Sequence, residues 1–237
     1  MLLIVAFFVG DRVARSYADQ KVADTVATSA EAKGIRLGQK PTVDITGFPF
    51  LTQVAAGEYD KVLVHMRDVH ADAYSISKLD VTAYGVHAKA SELMNGGARI
   101  TADTLDGTAT LDYGWLSGQV KDQIGSSDTV RALTLSGSDG QLKVNATVAL
   151  LGQQIKLTGT ATVSVADGKV KVRVKTLKPA GTSLPSYAQQ LLNELASQMS
   201  TDVALPNLPY DLKLSSVRPE SDGLHVTATA SNVALTS

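Results

Sequence analysis

The chain has 237 residues, with 22 Lys and Arg against 23 Asp and Glu, and 44% of its residues are hydrophobic. This apolar content is enough to bury a core, so the composition excludes a largely disordered chain. The formal net charge of -1 argues against nucleic acid as a partner, because nucleic-acid binding needs a concentrated basic surface. Without cysteine the chain has no disulfide framework, no thiolate zinc site and no thiol nucleophile.

An unbroken apolar run, MLLIVAFFV, occupies residues 1–9. A secretory hydrophobic region needs roughly 7–15 apolar residues and a membrane-spanning helix roughly 20. We therefore predict that residues 1–10 are a membrane anchor or the remnant of a signal segment, which places the rest of the protein outside the cytoplasm. The alternative is a short N-terminal helix that is buried in the protein.

A helix is predicted to continue from this run. Its thin apolar stripe recurs at every fourth position, with Val13 and Tyr17 alongside, and consists of Ala14, Ala18, Val22, Val26 and Ala30. The charged residues are expected mainly on the other faces of the helix: Asp11, Arg15, Asp19, Lys21 and Asp24. Lys33-Gly34 predicts the C-terminal end of the helix.

From Thr42 onward apolar and polar residues mostly alternate, which predicts half-buried strands. Residues 142–150 and 155–163 read as a long hairpin through Gly152. Asp167-Gly168 predicts a tight turn into a strand in which Val170, Val172 and Val174 face inward. Further strands are predicted at Tyr59–Arg67, Ile76–Tyr84, Arg99–Leu111, Val130–Ser136, Tyr210–Val217 and Leu224–Ala230.

Three apolar segments interrupt the strands and are predicted to be helical: Phe48–Ala56, Asp112–Ile124 and Pro185–Met199. Consecutive long strands imply an antiparallel sheet, and a sheet with so few helices to cover it has to curl around them. The predicted fold class is α+β, with a long curved antiparallel sheet wrapped around helices and an N-terminal helix. Residues 11–237 are expected to form a single α+β domain.

Catalytic motifs are absent from the sequence. Residues 114–118, GWLSG, lack the spacing of a serine nucleophile elbow, and no phosphate-binding loop or dinucleotide fingerprint is present. A dispersed metal site of His65, His70 and Asp72 is weighed against local hydrogen bonding of these side chains, which the missing ligand spacing favours. Asp103 and Asp106 are weighed as an acid–base pair against solvated carboxylates, and the latter is preferred. We predict that the protein is not an enzyme and that it needs no cofactor or metal.

Two kinds of residue remain as binding candidates. The basic row Lys171, Arg173 and Lys175, with Lys178, suits lipid phosphates at about 1 kcal/mol per cation, although a solvated strand face is the more common role of such a row. Apolar residues also gather in turn-like segments: 47–53 (GFPFLTQ), 112–116 (DYGWL) and 205–210 (LPNLPY). Each segment alone is typical of a core plug, whereas all three beside an anchored helix favour an apolar groove or a membrane-facing rim.

The motif at residues 47–53, continued by Ala56–Tyr59 and Val62–Val64, resembles the signature of the actinobacterial LmeA-like phospholipid-binding family. Residues 11–14 are similar to the start of that family, and residues 205–210, Leu212, 217–218 and 222–224 are similar to its ending. The resemblance extends from Asp11 to Leu235. The first motif is fairly specific, and the strand-rich middle is not.

This resemblance implies a cell-envelope or periplasmic protein that binds phospholipid, with phosphatidylinositol and its mannosylated derivatives as ligands. It also implies a link to lipomannan-type glycolipid synthesis and a fold like the tubular lipid-binding proteins, in which a curled sheet wraps a long helix. It transfers no catalytic residue to this sequence.

We predict that one acyl chain occupies an apolar groove, where each buried methylene contributes roughly 0.8 kcal/mol. The residues predicted to line the groove are Phe48, Phe50, Leu51, Trp115, Leu191, Leu195 and Tyr210. The predicted headgroup rim consists of Lys171, Arg173 and Lys175. The expected partners are phospholipid, a membrane through the N-terminal segment, and envelope glycosyltransferases. The alternatives are a non-catalytic scaffold for those glycosyltransferases, with a filled core, and an enzyme that acts on envelope glycans through dispersed carboxylates.

Overall fold

The computed structural model describes residues 2–71, 74–89, 99–124, 130–150, 153–181, 186–198, 200–203 and 209–235. The helices are α1 (Leu2–Ala32), α2 (Phe50–Ala56), α3 (Tyr113–Ile124) and α4 (Ser186–Gln198). The first six strands are β1 (Arg36–Leu37), β2 (Thr42–Thr46), β3 (Glu58–Ala71), β4 (Tyr74–His87), β5 (Thr101–Leu111) and β6 (Val130–Ser138). The others are β7 (Gln141–Leu150), β8 (Gln153–Ala166), β9 (Lys169–Pro179), β10 (Thr201–Val203), β11 (Lys213–Glu220) and β12 (Gly223–Ala234).

These strands form two sheets. The seven-stranded sheet has the order β1-β3-β4-β5-β12-β11, and β2 also pairs with β3. The five-stranded sheet has the order β10-β9-β8-β7-β6, and all of its pairings are antiparallel. The predicted hairpin is confirmed, since Val144 pairs with Gly159 and Val148 with Ile155. The prediction of an α+β fold with long antiparallel strands and an N-terminal helix is therefore confirmed.

The chain folds into two compact units. The first unit contains Met1–Ala109, Asn207–Lys213 and Thr227–Ser237, and the second contains Thr110–Pro206 and Leu214–Val226. The core of the first unit includes Ala83, Val86, Ala102, Leu105 and Val233. Whether residues 11–237 act as a single lipid-binding domain stays a prediction.

The predicted C-terminal end of α1 is confirmed. Gly34 takes the left-handed conformation, with φ of 75°. Its N–H donates to the Glu31 carbonyl at 2.9 Å, and the Ile35 N–H donates to the Ala30 carbonyl at 2.9 Å. These two bonds are the Schellman arrangement, which satisfies carbonyl groups that the last helical turn leaves free.

The side of α1 that packs on the protein is partly polar, which the apolar stripe did not predict. Asp11 is buried, and Arg15 and Asp19 are half-buried, so these charged residues share the protein-facing side with the stripe. Asp19 accepts a hydrogen bond from the Ile45 N–H of β2 at 2.9 Å, and Asp11 accepts one from the Leu51 N–H of α2 at 2.8 Å. The placement of these residues on other faces was wrong because α1 covers free backbone N–H groups, and such donors need oxygen acceptors.

In the second unit, two serines connect helices to strands in the same way. Ser117 of α3 donates to the Tyr113 carbonyl at 2.6 Å and accepts the Leu135 N–H of β6 at 2.9 Å. Ser200, just after α4, donates to the Ala196 carbonyl at 2.9 Å and accepts the Val174 N–H of β9 at 3.0 Å. Each hydroxyl therefore satisfies a strand amide while it stays bonded to its own helix.

One predicted strand begins later than expected. Residues Pro209–Asp211 form a short 3-10 turn in which Tyr210 and Asp211 have φ of 61° and 54°. Two successive residues with positive φ cannot belong to a strand, so β11 begins only at Lys213. The predicted turn at Gly152 lies outside the described residues, as do Asp72 and residues 205–208.

Candidate functional site

An open cleft of about 750 Å³ lies in the second unit, beside β9 and α4. Its walls are formed by Arg173, Val174, Lys175, Asn193, Ala196, Ser197, Ser200 and Asp202. Two of the three residues predicted for the headgroup rim, Arg173 and Lys175, are therefore brought together. The third, Lys171, is not among the residues that line this cleft, and its Nζ lies 2.8 Å from Asp167 Oδ2.

The charged groups of the cleft are partly paired. Arg173 Nη2 lies 2.6 Å from Asp202 Oδ1, and Arg173 Nη1 donates to the Val172 carbonyl at 3.0 Å. These two contacts fix the guanidinium at the wall. With Lys175 the cleft lining carries two cations against one carboxylate, so its net charge favours an anion.

A β-bulge positions Lys175. Val174 pairs with Ala161 and Thr176 with Thr160, which leaves Lys175 as the extra residue of β9. The strict alternation predicted for this strand therefore holds at Val170 and Val172, which are buried, and then shifts phase so that Leu177 is buried. Bulges turn a side chain away from the regular pleat, and here the bulged residue lines the cleft.

The residues predicted to line the acyl groove fall into different environments. In the first unit Phe48 and Leu51 are 60% and 39% exposed, whereas Phe50 is only 4% exposed and its ring lies 6.2 Å from that of Tyr59. Phe50 is therefore a core residue between two exposed neighbours. Tyr210, also of the first unit, is exposed and lies in the 3-10 turn.

In the second unit Trp115 of α3 is half-buried and Leu195 of α4 is buried. Leu191 belongs to α4, but its side chain lies outside the described part of the chain. Leu195 is accompanied in the core by Leu192, which is 2% exposed. Neither Phe50 nor Leu195 is thus open to a ligand in this conformation, and the acyl groove stays a prediction.

The GFPFLTQ motif holds the loop before α2 in a fixed shape. A side chain at Gly47 would lie 2.5 Å from Gln53 Nε2 and 2.6 Å from Asp60 Oδ2, so only glycine fits there. The buried Gln53 accepts the Asp60 N–H through Oε1 at 2.9 Å, and Thr52 Oγ1 donates to the Pro49 carbonyl at 2.8 Å. These contacts present the Phe48 side chain to solvent on a well-supported loop.

A second cleft, of about 270 Å³, lies in the first unit and is lined by Gln39, Lys40, Thr42, His65, Arg67, Lys78 and Asp80. His65 Nδ1 and Lys78 Nζ lie 2.7 Å and 2.9 Å from the two carboxylate oxygens of Asp80. Burial raises the pKa of Asp80, but the hydrogen bonds from His65 and Lys78 outweigh burial and hold that pKa below its ordinary value. Asp80 therefore stays ionised and neutralises part of this basic cleft.

Both histidines that were weighed as metal ligands have local partners. His65 contacts Asp80, and His70 Nδ1 lies 3.0 Å from Ser75 Oγ. Among the described residues, no group of three or more His, Cys, Asp or Glu side chains is placed to hold a metal ion. Asp103 and Asp106 are three residues apart in β5, which puts them on opposite faces of the sheet, so they do not form an acid–base pair.

Residues 2–9 of the apolar run at the start of the chain belong to α1. The side chains at residues 6–10 are exposed, and whether the run is an anchor, a signal remnant or a buried helix stays a prediction. Phe8 stacks on Phe48, with ring centroids 5.2 Å apart and an angle of 10° between the planes. Within the described part of the chain, no helix has the length and apolar character required to cross a membrane.

By its fold and its clefts, the chain is an α+β protein with a seven-stranded and a five-stranded sheet, polar clefts lined in part by Lys and Arg side chains, and exposed aromatic side chains. The sequence profile of the LmeA-like phospholipid-binding family matches residues 9–229. The protein therefore belongs to this family, and it has a lipid-binding role. Searches of the curated proteins and of the solved structures found no match.

Proposed function

We propose that this protein is an extracytoplasmic phospholipid-binding protein of the cell envelope that takes phosphatidylinositol-type lipids or their mannosylated forms. The cleft of the second unit carries this proposal, because it combines Arg173 and Lys175 with Asn193, Ser197 and Asp202. The cations suit a lipid phosphate, and the amide, hydroxyl and carboxylate groups suit the hydroxyls of inositol or mannose. The volume of about 750 Å³ lies in the usual range for small-molecule sites.

In this mechanism the affinity and the selectivity have different sources. The acyl chain, in an apolar groove, contributes roughly 0.8 kcal/mol for each buried methylene. The cleft distinguishes headgroups through its charge and its hydrogen-bonding groups. The protein itself does no chemistry, and it supports envelope glycolipid or lipoglycan biosynthesis by presenting lipid to the enzymes that modify it. The N-terminal segment keeps it beside the membrane and so raises its effective concentration there.

Native mass spectrometry of the delipidated full chain with short-chain phosphatidylinositol, and separately with short-chain phosphatidylcholine, tests the proposal. We expect a one-to-one adduct with phosphatidylinositol that Lys175→Gln weakens about tenfold, the usual loss when a charge-assisted hydrogen bond is removed. Lys169→Gln is the matched control, since Lys169 is an exposed lysine of the same strand outside the cleft lining. Equal affinities of the two variants, or the absence of any adduct, would contradict the proposal.

The burial of Phe50 and Leu195 favours a second candidate function. If Phe50 and Leu195 stay buried when lipid is offered, the protein acts as a non-catalytic scaffold for envelope glycosyltransferases and admits no acyl chain. The same spectra separate the two functions. A clean apo mass, under conditions that preserve the adduct of a known lipid carrier, supports the scaffold.

A further inference from the structure

Large apolar side chains are exposed mainly in two segments of the first unit. Of the nine such side chains among the described residues, seven lie in residues 7–17 and 48–51. Five of them, named here the aromatic tip, come from the first turns of α1, the loop before α2 and the first turn of α2: Phe7, Phe8, Val9, Phe48 and Leu51. Scattered exposed apolar residues need no explanation, whereas a cluster this dense indicates a binding surface.

The aromatic tip is held together by specific contacts. Phe8 of α1 stacks on Phe48 of the loop, with centroids 5.2 Å apart. Three residues further along α1, the buried carboxylate of Asp11 accepts the Leu51 N–H at 2.8 Å. The loop and the helix therefore present their apolar side chains at the same end of α1, and the contacts that fix Gly47 and Gln53 hold the loop in place.

The apolar residues surround the helix at this end. Residues 6–9 are all apolar and complete one turn of α1, so every face of that turn is apolar, and the side chains at residues 6–10 are exposed. A helix that is apolar on all sides is stable only when it is surrounded by other apolar material. A flat protein partner covers one face, whereas the acyl region of a bilayer surrounds an inserted tip completely.

The charges next to the tip match a membrane surface. Arg12 is exposed and lies about 6 Å along the helix axis from Phe8, close to the depth at which lipid phosphates meet the acyl region. The carboxylate at the same level, Asp11, is withdrawn from solvent by its bond to Leu51. The exposed charge that α1 presents at this level is therefore positive, which is complementary to anionic lipid.

We propose that the aromatic tip inserts into the interface of an anionic phospholipid bilayer, with Phe48 and Leu51 entering beside the first turns of α1. This inference rests on the proposed function for its partner and adds a second insertion element, the Phe48 loop. It also assigns Phe48 and Leu51 to the membrane rather than to an acyl groove. Asp11 orients the loop and α1 toward the same surface.

Sedimentation of the full chain with vesicles tests this inference, with phosphatidylcholine alone or mixed with phosphatidylglycerol. Phe48→Ser removes one exposed aromatic and is expected to weaken binding about tenfold. Tyr84→Ser is the control, since Tyr84 is a comparably exposed aromatic of the same unit outside the tip. Arg12→Gln is expected to weaken binding about fivefold on the anionic vesicles and to leave binding to pure phosphatidylcholine unchanged.

A fluorescence measurement gives the depth of insertion. The only tryptophan, Trp115, is replaced by Phe, and a new one is introduced by Phe48→Trp or, as a control, by Tyr84→Trp. Brominated lipids should quench the indole of the Phe48→Trp variant and leave that of the Tyr84→Trp variant unquenched. An unquenched indole in Phe48→Trp, together with normal vesicle binding of Phe48→Ser, overturns the inference. So does a concentration-dependent dimer in analytical ultracentrifugation that Phe48→Ser abolishes while vesicles stay unbound.

The outcomes also separate this inference from the proposed function. If Phe48→Ser keeps the phosphatidylinositol adduct in native mass spectrometry but loses vesicle binding, both hold. If no adduct forms but vesicle binding depends on Phe48, the insertion surface stands and the lipid-carrier function fails.

Discussion

The contact between Asp11 and α2 predicts a large local effect for Asp11→Ala. Asp11 is 4% exposed, and its carboxylate accepts the N–H of Leu51, the second residue of α2. Pro49, which precedes the helix, supplies no side-chain cap. The helix has only seven residues. The acceptor from α1 satisfies one of the N–H groups that the first turn of α2 leaves without an intrahelical partner.

The expected magnitude follows from this geometry. Loss of an N-terminal cap costs about 0.5–2 kcal/mol, and a buried N–H without a partner costs about 1–3 kcal/mol. The two ranges describe the same hydrogen bond and do not add, so about 2 kcal/mol is expected for Asp11→Ala. Asp11→Asn keeps an oxygen acceptor and loses only the charge near the helix N-terminus, which is worth about 0.3–1 kcal/mol.

Amide hydrogen exchange at Leu51 measures this effect directly, because exchange follows the local opening free energy. We expect exchange about 30-fold faster in Asp11→Ala and about two- to fivefold faster in Asp11→Asn. Arg12→Ala, at the exposed neighbouring position, is expected to leave the Leu51 amide unchanged.

Two results would refute the reasoning. Wild-type exchange at Leu51 in Asp11→Ala would mean that the hydrogen bond does not form in solution. Equal acceleration in Asp11→Asn and Asp11→Ala would mean that the charge, and not the hydrogen bond, stabilises α2.

Three further predictions concern stability. Burial raises the pKa of Asp19 above 3.8, despite the hydrogen bond from Ile45, so folding stability should fall as pH rises from 3.8 through the folded pKa. Thermal melts of Asp19→Asn should lack this fall, and the melting temperature of this variant should match or exceed that of the wild type at pH 7. Burial raises the pKa of Tyr113 to about 12, so the free energy of unfolding should fall between pH 10 and 12 by at most about 2 kcal/mol after allowance for solvent screening. Urea titrations of Tyr113→Phe should show no such fall. A Cβ at Gly159 would overlap the Thr176 carbonyl oxygen and lie 2.9 Å from Leu177 Cδ2, so Gly159→Ala should lower stability by about 1–3 kcal/mol. Gly118 lies in α3 with open space around it, so Gly118→Ala should raise stability by about 0.5–1 kcal/mol. Equal urea midpoints for the two variants would contradict this.

Local patterns in the sequence determined most of the secondary structure. The alternation in residues 142–150 and 155–163 predicted β7 and β8 because a half-buried strand repeats every two residues. Lys33-Gly34 predicted the end of α1 because glycine takes positive φ without strain. The basic row Lys171, Arg173 and Lys175 was also recognised, since all three stand on one strand, and two of the three line the cleft. In each case the deciding interaction joins residues close in sequence.

The sequence also contains a polar pattern in α1 that the prediction of an apolar stripe left out. Asp11, Arg15 and Asp19 are spaced by four residues, so they lie on one face of α1, and that spacing alone indicates a polar contact surface. Which donors they would meet was not visible, because Leu51 and Ile45 are 40 and 26 residues away. The ion pair of Arg15 with Asp44 belongs to the same surface.

Only the tertiary structure determined which apolar side chains are buried and which are exposed. Phe48, Phe50 and Leu51 are equivalent in a sequence pattern, yet Phe50 is buried and its neighbours are exposed. The difference depends on Tyr59, which contacts the Phe50 ring, and on Phe8, which stacks on Phe48. Removing an apolar side chain from water is favourable in free energy, and the residue type alone shows this. Only the packing of distant segments determines whether a core, a ligand or a membrane covers that side chain.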